Sequence, residues 1–293
     1  MSLEGKIGQQ GKKHTILMDN YVTQNNIPMG VQHVAIGASE IHDQPAENSA
    51  GSSGPTRIAT VEPKIRRIPT QEFEHLWAEV ERNLVQTSCS ISNSKSHTGY
   101  GARYVIGVTS AVDGEGKTTV AENLAESASH STWRKVCLVD LSMNSDDIAD
   151  RNGINCVDNG IISLLERCGA VPDPFAEVPT YRFTDRGGLS VVPAGKIPDN
   201  AAKIARSPDL PGVIAALREH FDLIVIDLPS VASGNLLPLA GETDGIVFVT
   251  RAGATPTVTA KDAIDVVGRS SIVGLVLNRV KFSGPEWIRK RLL

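Results

Sequence analysis

A glycine-containing segment, residues 111–119, has the composition and spacing of a phosphate-binding loop. It reads Ala-Val-Asp-Gly-Glu-Gly-Lys-Thr-Thr, follows the apolar run 104–108 and precedes a helical pattern that begins at Lys117. A strand, a glycine-containing loop, Lys-Thr and a helix, in this order, are typical of a P-loop. Gly114 and Gly116 would let backbone N–H groups approach phosphate oxygens, where a Cβ would collide. We therefore expect this segment to bind a nucleoside triphosphate.

Other residues of the loop are expected to contact the phosphates, the metal ion or the rest of the nucleotide. Lys117 would reach the β- and γ-phosphates, and the Thr118 hydroxyl would be a ligand of Mg²⁺. Glu115 and Thr119 complete the set of residues that we expect to bind the nucleotide. The strict pattern has glycine where this chain has Ala111, so the motif alone leaves open a glycine-rich strand-to-helix turn with an exposed lysine.

Two further apolar runs end in a carboxylate. Residues 223–226 are followed by Asp227, and residues 136–139 are followed by Asp140. Since the carboxyl ends of parallel strands line the ligand crevice of such sheets, both aspartates would face the P-loop. We expect Asp227 to hold Mg²⁺, and Asp140 to be a second metal partner or the group that orients the nucleophile. The alternative for either residue is a capping role.

The elements that position these residues are six apolar runs that alternate with helical patterns. We predict strands at 104–108, 136–139, 189–192, 223–226, 245–249 and 272–277, and helices at 117–129, 161–167, 210–220 and 258–267. Continuous apolar runs are typical of strands that are covered on both faces. The alternation therefore predicts an α/β fold, a doubly wound and mostly parallel sheet with helices on both faces.

Four segments are expected along the chain. Residues 1–69 are predicted to be a largely disordered extension because they are polar, although their short apolar clusters leave docking segments open. Within residues 70–99 we predict an amphipathic helix over 70–86, followed by a serine-rich linker. Residues 100–285 would be the ATPase domain, and residues 286–293 a short basic tail.

Composition and charge exclude several classes of function. The chain has 293 residues, of which 41% are hydrophobic, and a formal net charge of −4. An acidic chain is not expected to coat nucleic acid. The four cysteines lack the spacing of a zinc site, and no apolar run is long enough to cross a bilayer. We expect a cytoplasmic protein without direct membrane insertion, which would reach the inner membrane only through a partner.

Several motifs in a fixed order resemble the cytoplasmic ATPase domain of bacterial tyrosine kinases in capsule and exopolysaccharide synthesis. That family lies within the wider superfamily of partition and division-site ATPases. The motifs are residues 109–110, 114–119, 122–125, 188–195, 221–229, 243–249 and 274–280. The resemblance implies ATP and Mg²⁺ as ligands, ATP hydrolysis or phosphoryl transfer as the activity, and a membrane-embedded polysaccharide co-polymerase as the partner. It also implies that Asn278 contacts the adenine and that Asp140 is the first carboxylate of the Walker A′ motif.

The Walker A′ motif departs from the family. In relatives it reads Asp-x-Asp followed by Arg, whereas here Asp140 is followed two residues later by Ser142, which carries no charge. Asp146 or Asp147 would supply the second charge only if the loop folds back. This departure leaves open a binding module whose conformation depends on nucleotide and which turns over little ATP.

Other departures concern the phosphate acceptor and assembly. Relatives carry tyrosines at the C-terminus, but no tyrosine follows Tyr181, so we expect no autophosphorylation of a tail. A kinase that acts on a tyrosine of another protein stays open. The family's Glu-x-x-Arg-x-x-Arg motif for ring assembly matches only its first residue, Glu72, so a homo-oligomer is left open. Partition-type positioning ATPases carry an extra lysine where this chain has Val112, and they are the remaining alternative.

Overall fold

The computed structural model describes residues 33–37, 58–61, 70–91, 103–143, 148–154, 160–166, 180–183, 188–196 and 200–280. The strands in these residues are β1 His33–Gly37, β2 Ile58–Val61, β3 Tyr104–Ser110, β4 Val136–Asp140, β5 Thr180–Phe183, β6 Leu189–Val192, β7 Leu223–Asp227, β8 Gly245–Arg251 and β9 Ile272–Val280. The α-helices are α1 Gln71–Ile91, α2 Lys117–Ser131, α3 Ile148–Asn152, α4 Ile161–Glu166, α5 Ala201–Ala205, α6 Leu210–His220, α7 Leu236–Ala240 and α8 Thr257–Val267. Two 3-10 helices lie at Val231–Ser233 and Arg269–Ser271.

The nine strands of the described residues form one sheet in the order β1-β9-β8-β3-β7-β4-β6-β5-β2. Every neighbouring pair is parallel except β5 and β6, which are antiparallel. β3 lies near the middle, between β7 and β8, and helix α2 leads from β3 to β4 on the far side of β7. From β3 the chain continues to strands on one side of it (β4 to β7) and later to strands on the other side (β8 and β9). Open α/β sheets bind ligands at the carboxyl ends of the strands where the strand order reverses in this way.

Alternation along the central strands explains why both faces of the sheet are covered. In β3, Ile106 packs into one apolar cluster and its neighbour Val105 into another, because successive side chains point to opposite faces. Helices α1, α2 and α3 contribute to the first cluster, and helices α4 to α7 contribute to the second. The predicted α/β fold with a doubly covered, mostly parallel sheet is confirmed.

Helix α1 buries the apolar stripe that the sequence predicts. Its buried residues are Phe73, Leu76, Trp77, Val80 and Leu84, all of which join the cluster on the α2 face of the sheet. The helix continues to Ile91, five residues beyond the predicted end at Gln86 and into the segment expected to be a linker. A helix with this packed stripe gains most of its stability from tertiary contacts, so a polar continuation can follow it.

The structure adds elements that the sequence did not predict. Strands β1 and β2 lie inside the segment 1–69, which was expected to be largely disordered, and each is an edge strand of four or five residues. Outside these two strands the residues before Thr70 are not described, and for them the expectation stays a prediction. β5 and the helices α3, α5 and α7 were also unpredicted, since runs of four or five residues carry too little periodicity to be recognised.

Candidate functional site

The loop between β3 and α2 has the backbone geometry of a phosphate cradle. All seven residues of β3 are buried, so the strand fixes where the loop begins. Gly114 has a φ of 80°, and Gly116, the residue before the first turn of α2, has a φ of 97°. Both values lie in the left-handed region that glycine adopts without a steric cost. A Cβ on Gly116 would also lie 2.1 Å from the Asn278 side-chain nitrogen. Both the backbone conformation and the lack of space for a side chain therefore favour glycine at this position.

Glu115 holds the loop against the next strand. Its side chain is buried, and one carboxylate oxygen accepts a hydrogen bond from the Val112 backbone N–H at 3.0 Å. The other oxygen accepts from the Arg251 backbone N–H at 3.0 Å and from the Thr255 hydroxyl. The sequence grouped Glu115 with the nucleotide-binding residues, and the structure places its side chain in the protein interior. A carboxylate that accepts three hydrogen bonds fixes the loop before any ligand arrives.

Asn278 lies under the same loop, at the end of β9. Its Nδ2 atom donates to the Glu115 carbonyl at 2.8 Å, and its Oδ1 atom accepts from the Arg279 backbone N–H at 2.8 Å. The amide thus packs against the backbone of the P-loop. Contact between Asn278 and adenine, which the resemblance implies, stays a prediction.

Lys117 is 4% exposed and lies at the first position of α2. Its Nζ atom donates to the Asp113 carboxylate at 3.0 Å, and the Asp113 side chain is 60% exposed. A buried ammonium needs a partner because it has lost its hydration. The Asp113 carboxylate, an anion at the open side of the loop, supplies that partner at the place where phosphate oxygens would compete for it.

Thr118 and Asp227 meet as the sequence predicts. The Thr118 hydroxyl donates to Asp227 Oδ2 at 2.6 Å, across 109 positions of sequence. Asp227 is fully buried at the end of β7, and its Oδ1 atom has no hydrogen-bond partner among the described residues. Burial, and next the negative charge of Asp140, raise the pKa of the Asp227 carboxyl well above its usual range, although the Thr118 hydrogen bond and the Lys117 charge oppose the rise.

Asp140 is the register neighbour of Asp227 on the adjacent strand β4. Its Oδ1 atom accepts from the Ser142 backbone N–H at 3.0 Å and from the Ser142 hydroxyl at 2.8 Å. Its Oδ2 atom accepts from the Ile148 backbone N–H at 3.2 Å. The structure therefore brings Asp140 to the site and uses its carboxylate to hold both ends of the loop after β4. Asp146 and Asp147 lie outside the described residues.

A second polar cluster borders the P-loop helix, and the sequence did not single it out. The exposed Thr119 hydroxyl accepts from Arg151 Nη2 at 3.1 Å, and the same Nη2 lies 3.2 Å from Glu122 Oε2. Asn152 donates to Glu122 Oε1 at 2.9 Å, and both of these residues are buried. Glu122 follows Thr118 by one helical turn, and this spacing was the available signal that it faces the site.

The donor set fits Mg²⁺ held together with phosphate rather than a metal held by protein alone. No group of three or more His, Cys, Asp or Glu side chains suited to a metal occurs in the part of the chain that the structure describes. Mg²⁺ is usually bound by one or two protein oxygens plus substrate phosphates and water. The Thr118 hydroxyl and the buried Asp227 carboxylate, one oxygen of which has no partner within the described ranges, are such a pair.

No protein-family model matches the chain. Curated relatives include the tyrosine-protein kinase CpsD of Streptococcus agalactiae, which is 26% identical over 233 residues, 78% of this chain and 92% of the relative. The succinoglycan biosynthesis transport protein ExoP of Rhizobium meliloti is 24% identical over 282 residues, 88% of this chain and 32% of the relative. Among solved structures, the VpsO kinase domain superposes with a TM-score of 0.53 at 27% identity, covering 70% of this chain and 99% of that domain.

Proposed function

We propose that the chain, which is similar in sequence to the bacterial tyrosine-protein kinases as its motifs predicted, binds ATP with Mg²⁺ at the P-loop. We propose further that it acts as an ATPase or regulator of exopolysaccharide or capsule synthesis. The observation that carries the proposal is the Thr118–Asp227 hydrogen bond beside the glycine loop, with an Asp227 oxygen left unpartnered among the described residues. A buried oxygen without a partner is costly to keep, which is expected where a ligand completes the site.

Different residues would bind the phosphates and the cation of Mg-ATP. Lys117 would exchange the Asp113 carboxylate for phosphate oxygens, and Thr118 with Asp227 would hold the cation. Mg²⁺, when bound, neutralises charge on the phosphate oxygens. Burial and the nearby Asp140 raise the pKa of Asp227, so a bound cation would favour the ionised carboxylate.

Asp140 has two proposed roles, as a metal partner and as the group that orients the nucleophile. An ionised carboxylate offers about four acceptor sites, and three hydrogen bonds from Ser142 and Ile148 already end on this one. This geometry favours the second role, exerted through the negative charge and through the position of the loop that Asp140 holds.

Binding of Mg-ATP to the purified full chain tests the proposal. We expect saturable binding by calorimetry, its loss in EDTA, and at least about tenfold weaker binding for Lys117→Met, since charged hydrogen bonds are worth about 1.5–3 kcal/mol. Lys261→Met is the matched control because Lys261 is an exposed lysine of α8. Absence of binding to the unaltered chain, or equal binding by Lys117→Met, would refute the proposal.

A second proposed function is phosphorylation of a tyrosine in another protein. Relatives such as CpsD are named tyrosine-protein kinases. In this chain the Tyr104 side chain is 4% exposed within β3, and Tyr181 is half-buried in β5, so neither is presented as an acceptor. The proposed acceptor and partner is a membrane-embedded polysaccharide co-polymerase, a class suggested by the transport-protein name of ExoP.

Labelled ATP distinguishes the remaining alternatives. The chain is incubated with γ-labelled ATP, with and without the candidate membrane protein, and both phosphotyrosine and released phosphate are measured. Alkali-stable label on the partner supports the kinase, phosphate release without label supports the ATPase, and tight binding without either product supports the nucleotide-dependent binding module. ATP-dependent binding to DNA or lipid would support the partition-type alternative instead.

We propose that the chain acts at the inner membrane, to which the same partner would bring it. None of the helices in the described ranges is both long and apolar enough to cross a bilayer. We therefore propose that any contact with the inner membrane is made through the partner protein, which co-sedimentation with partner-containing and partner-free vesicles would test.

A further inference from the structure

The polar cluster at the end of α3 lies beside the proposed phosphate site and has no assigned role. It consists of Arg151 and Asn152 on α3 together with Glu122 and Thr119 on α2, and we call it the α2–α3 cluster. Glu122 is almost wholly enclosed, with a side chain 3% exposed, whereas the Arg151 side chain is 31% exposed. The cluster therefore has a buried anion and a cation that reaches toward solvent.

The position of the arginine is set by Thr119. This residue is the third of α2, immediately after Thr118, so its hydroxyl lies at the helix end where backbone N–H groups are available to phosphates. Arg151 Nη2 is 3.1 Å from that hydroxyl. A guanidinium carries five donors in a planar fork, and within the described part of the chain Arg151 uses its Nη2 group for both contacts.

The charges around the site give a reason for a second cation. Asp140, Asp227 and Glu122 are three buried carboxylates, and the negative charges of Asp140 and Glu122 both contribute to the raised pKa of Asp227. Lys117 is the cation within the loop, and a triphosphate would bring about four further negative charges. Arginine is suited to this place because its fork can bind phosphate oxygens in pairs.

We propose that Arg151 is a phosphate-binding residue of the nucleotide site, contributed by α3, and that its ion pair with Glu122 in the ligand-free protein is one with which phosphate oxygens compete. Asn152 in turn orients Glu122 through its 2.9 Å hydrogen bond. The inference rests on the proposed binding of Mg-ATP and names a further residue of that same site. Because the backbone N–H groups of a P-loop cradle the α- and β-phosphates, which ATP and ADP share, Arg151 would contribute to the affinity for both nucleotides.

Calorimetric binding of Mg-ATP and Mg-ADP to the full chain tests the inference. Arg151→Met weakens both nucleotides by about ten- to a hundredfold, as expected for a charged hydrogen bond removed from a ligand. Glu122→Gln keeps the hydrogen bond from Asn152 but releases the guanidinium from its carboxylate, so binding stays equal or tightens. Arg269→Met, which breaks the exposed ion pair with Asp265, is the matched control and leaves both affinities within about twofold.

A purely structural ion pair predicts a different pattern. In that case Arg151→Met weakens binding only because Glu122 is left as an uncompensated buried charge, and the double variant Glu122→Gln with Arg151→Met restores affinity. The double variant also lacks that buried charge, so it remains informative if Arg151→Met alone does not fold. In the inferred arrangement the double variant stays as weak as Arg151→Met, and thermal melting shows that it is folded.

The outcomes separate the inference from the proposed function. If the unaltered chain binds neither nucleotide, both are overturned. If it binds both and Arg151→Met binds within about twofold of it, the function stands and the inference is overturned. Restored affinity in the double variant overturns the inference in the same way, and weak binding of both arginine variants beside normal binding of Glu122→Gln supports it.

Discussion

Replacing Asp227 by asparagine should make the protein more stable and the proposed site non-functional. Asp227 is fully buried, one of its oxygens has no partner among the described residues, and Asp140 adds a like charge on the neighbouring strand. Asparagine keeps the shape and an acceptor for the Thr118 hydroxyl but carries no charge. The ligand-free protein therefore loses an unfavourable charge, while the proposed metal site loses a carboxylate.

An unsatisfied buried group costs about 1–3 kcal/mol and a charged one costs more; the asparagine amide retains the neutral part of this cost, so we expect removal of the charge to stabilise the protein by about 1–3 kcal/mol. For a domain of this size each kcal/mol corresponds to about 2–4 °C in melting temperature, so Asp227→Asn should melt roughly 2–10 °C higher at neutral pH without ligand. Asp262→Asn is the matched control because Asp262 is exposed on α8, and its free energy of unfolding should change by less than about 0.5 kcal/mol.

The pH dependence has a defined sign. A carboxyl whose pKa is raised in the folded state binds its proton more tightly there than in the unfolded chain. Its stabilising contribution is complete below the unfolded pKa, about 3.9, and is lost as the pH rises through the folded value. The free energy of unfolding of the unaltered protein should therefore fall across that interval, and Asp227→Asn should flatten the decline.

Urea unfolding in EDTA between pH 4 and pH 8, and again with saturating Mg-ATP, measures both effects. We expect the free energy of unfolding of Asp227→Asn to be higher than that of the unaltered chain in EDTA. With Mg-ATP it should be lower, because only the unaltered site gains free energy from the ligand. A variant that is less stable than the unaltered chain in EDTA at pH 7, or that keeps the same pH slope, would refute this account of Asp227.

Two further substitutions test the surroundings of the site. Glu115→Ala removes the acceptor of the Val112 and Arg251 amides, so we expect a loss of about 1–3 kcal/mol for each amide left unsatisfied and weaker ATP binding, measured by urea unfolding and calorimetry; unchanged stability would contradict the assigned contacts. Ser142→Asp removes the hydroxyl that donates to Asp140 and adds a like charge, so the ligand-free protein should lose about 1–3 kcal/mol while phosphate release with Mg-ATP rises. If phosphate release by the unaltered chain is already fast and Ser142→Asp does not change it, the uncharged Ser142 does not limit ATP hydrolysis.

The central elements could be predicted because their signals are local. The bounds of β6 and α6 match the predicted 189–192 and 210–220, and the other predicted strands extend by one to three residues. Buried parallel strands are continuous apolar runs, and these are visible in the sequence. β1 and β2 could not be recognised because each depends on a partner remote in the chain, β9 for β1 and β5 for β2.

The site divides in the same way. Proximity of Thr118 and Asp227 followed from the rule that parallel strands end at one edge, and the 2.6 Å contact agrees with it. The interior position of the Glu115 side chain and the approach of Arg151 to Thr119 had no such rule behind them. Both depend on where the loops after β8 and β4 return to the P-loop, and loop paths are set by tertiary contacts rather than by a periodic pattern.

The distribution of charge explains why ligand binding and turnover are separate questions for this chain. The second position of the Walker A′ motif is Ser142, which carries no charge. Its hydroxyl donates a hydrogen bond to Asp140 and so stabilises the negative charge of that carboxylate. Another buried carboxylate beside Asp227 is Glu122 on α2, and its charge is paired with Arg151. Among the described residues, Lys117 and Arg151 are the cations that we propose to meet phosphate, and Asp140 is the carboxylate that we propose to act on the nucleophile. We therefore expect nucleotide affinity to depend on the two cations and the rate of turnover to depend on Asp140.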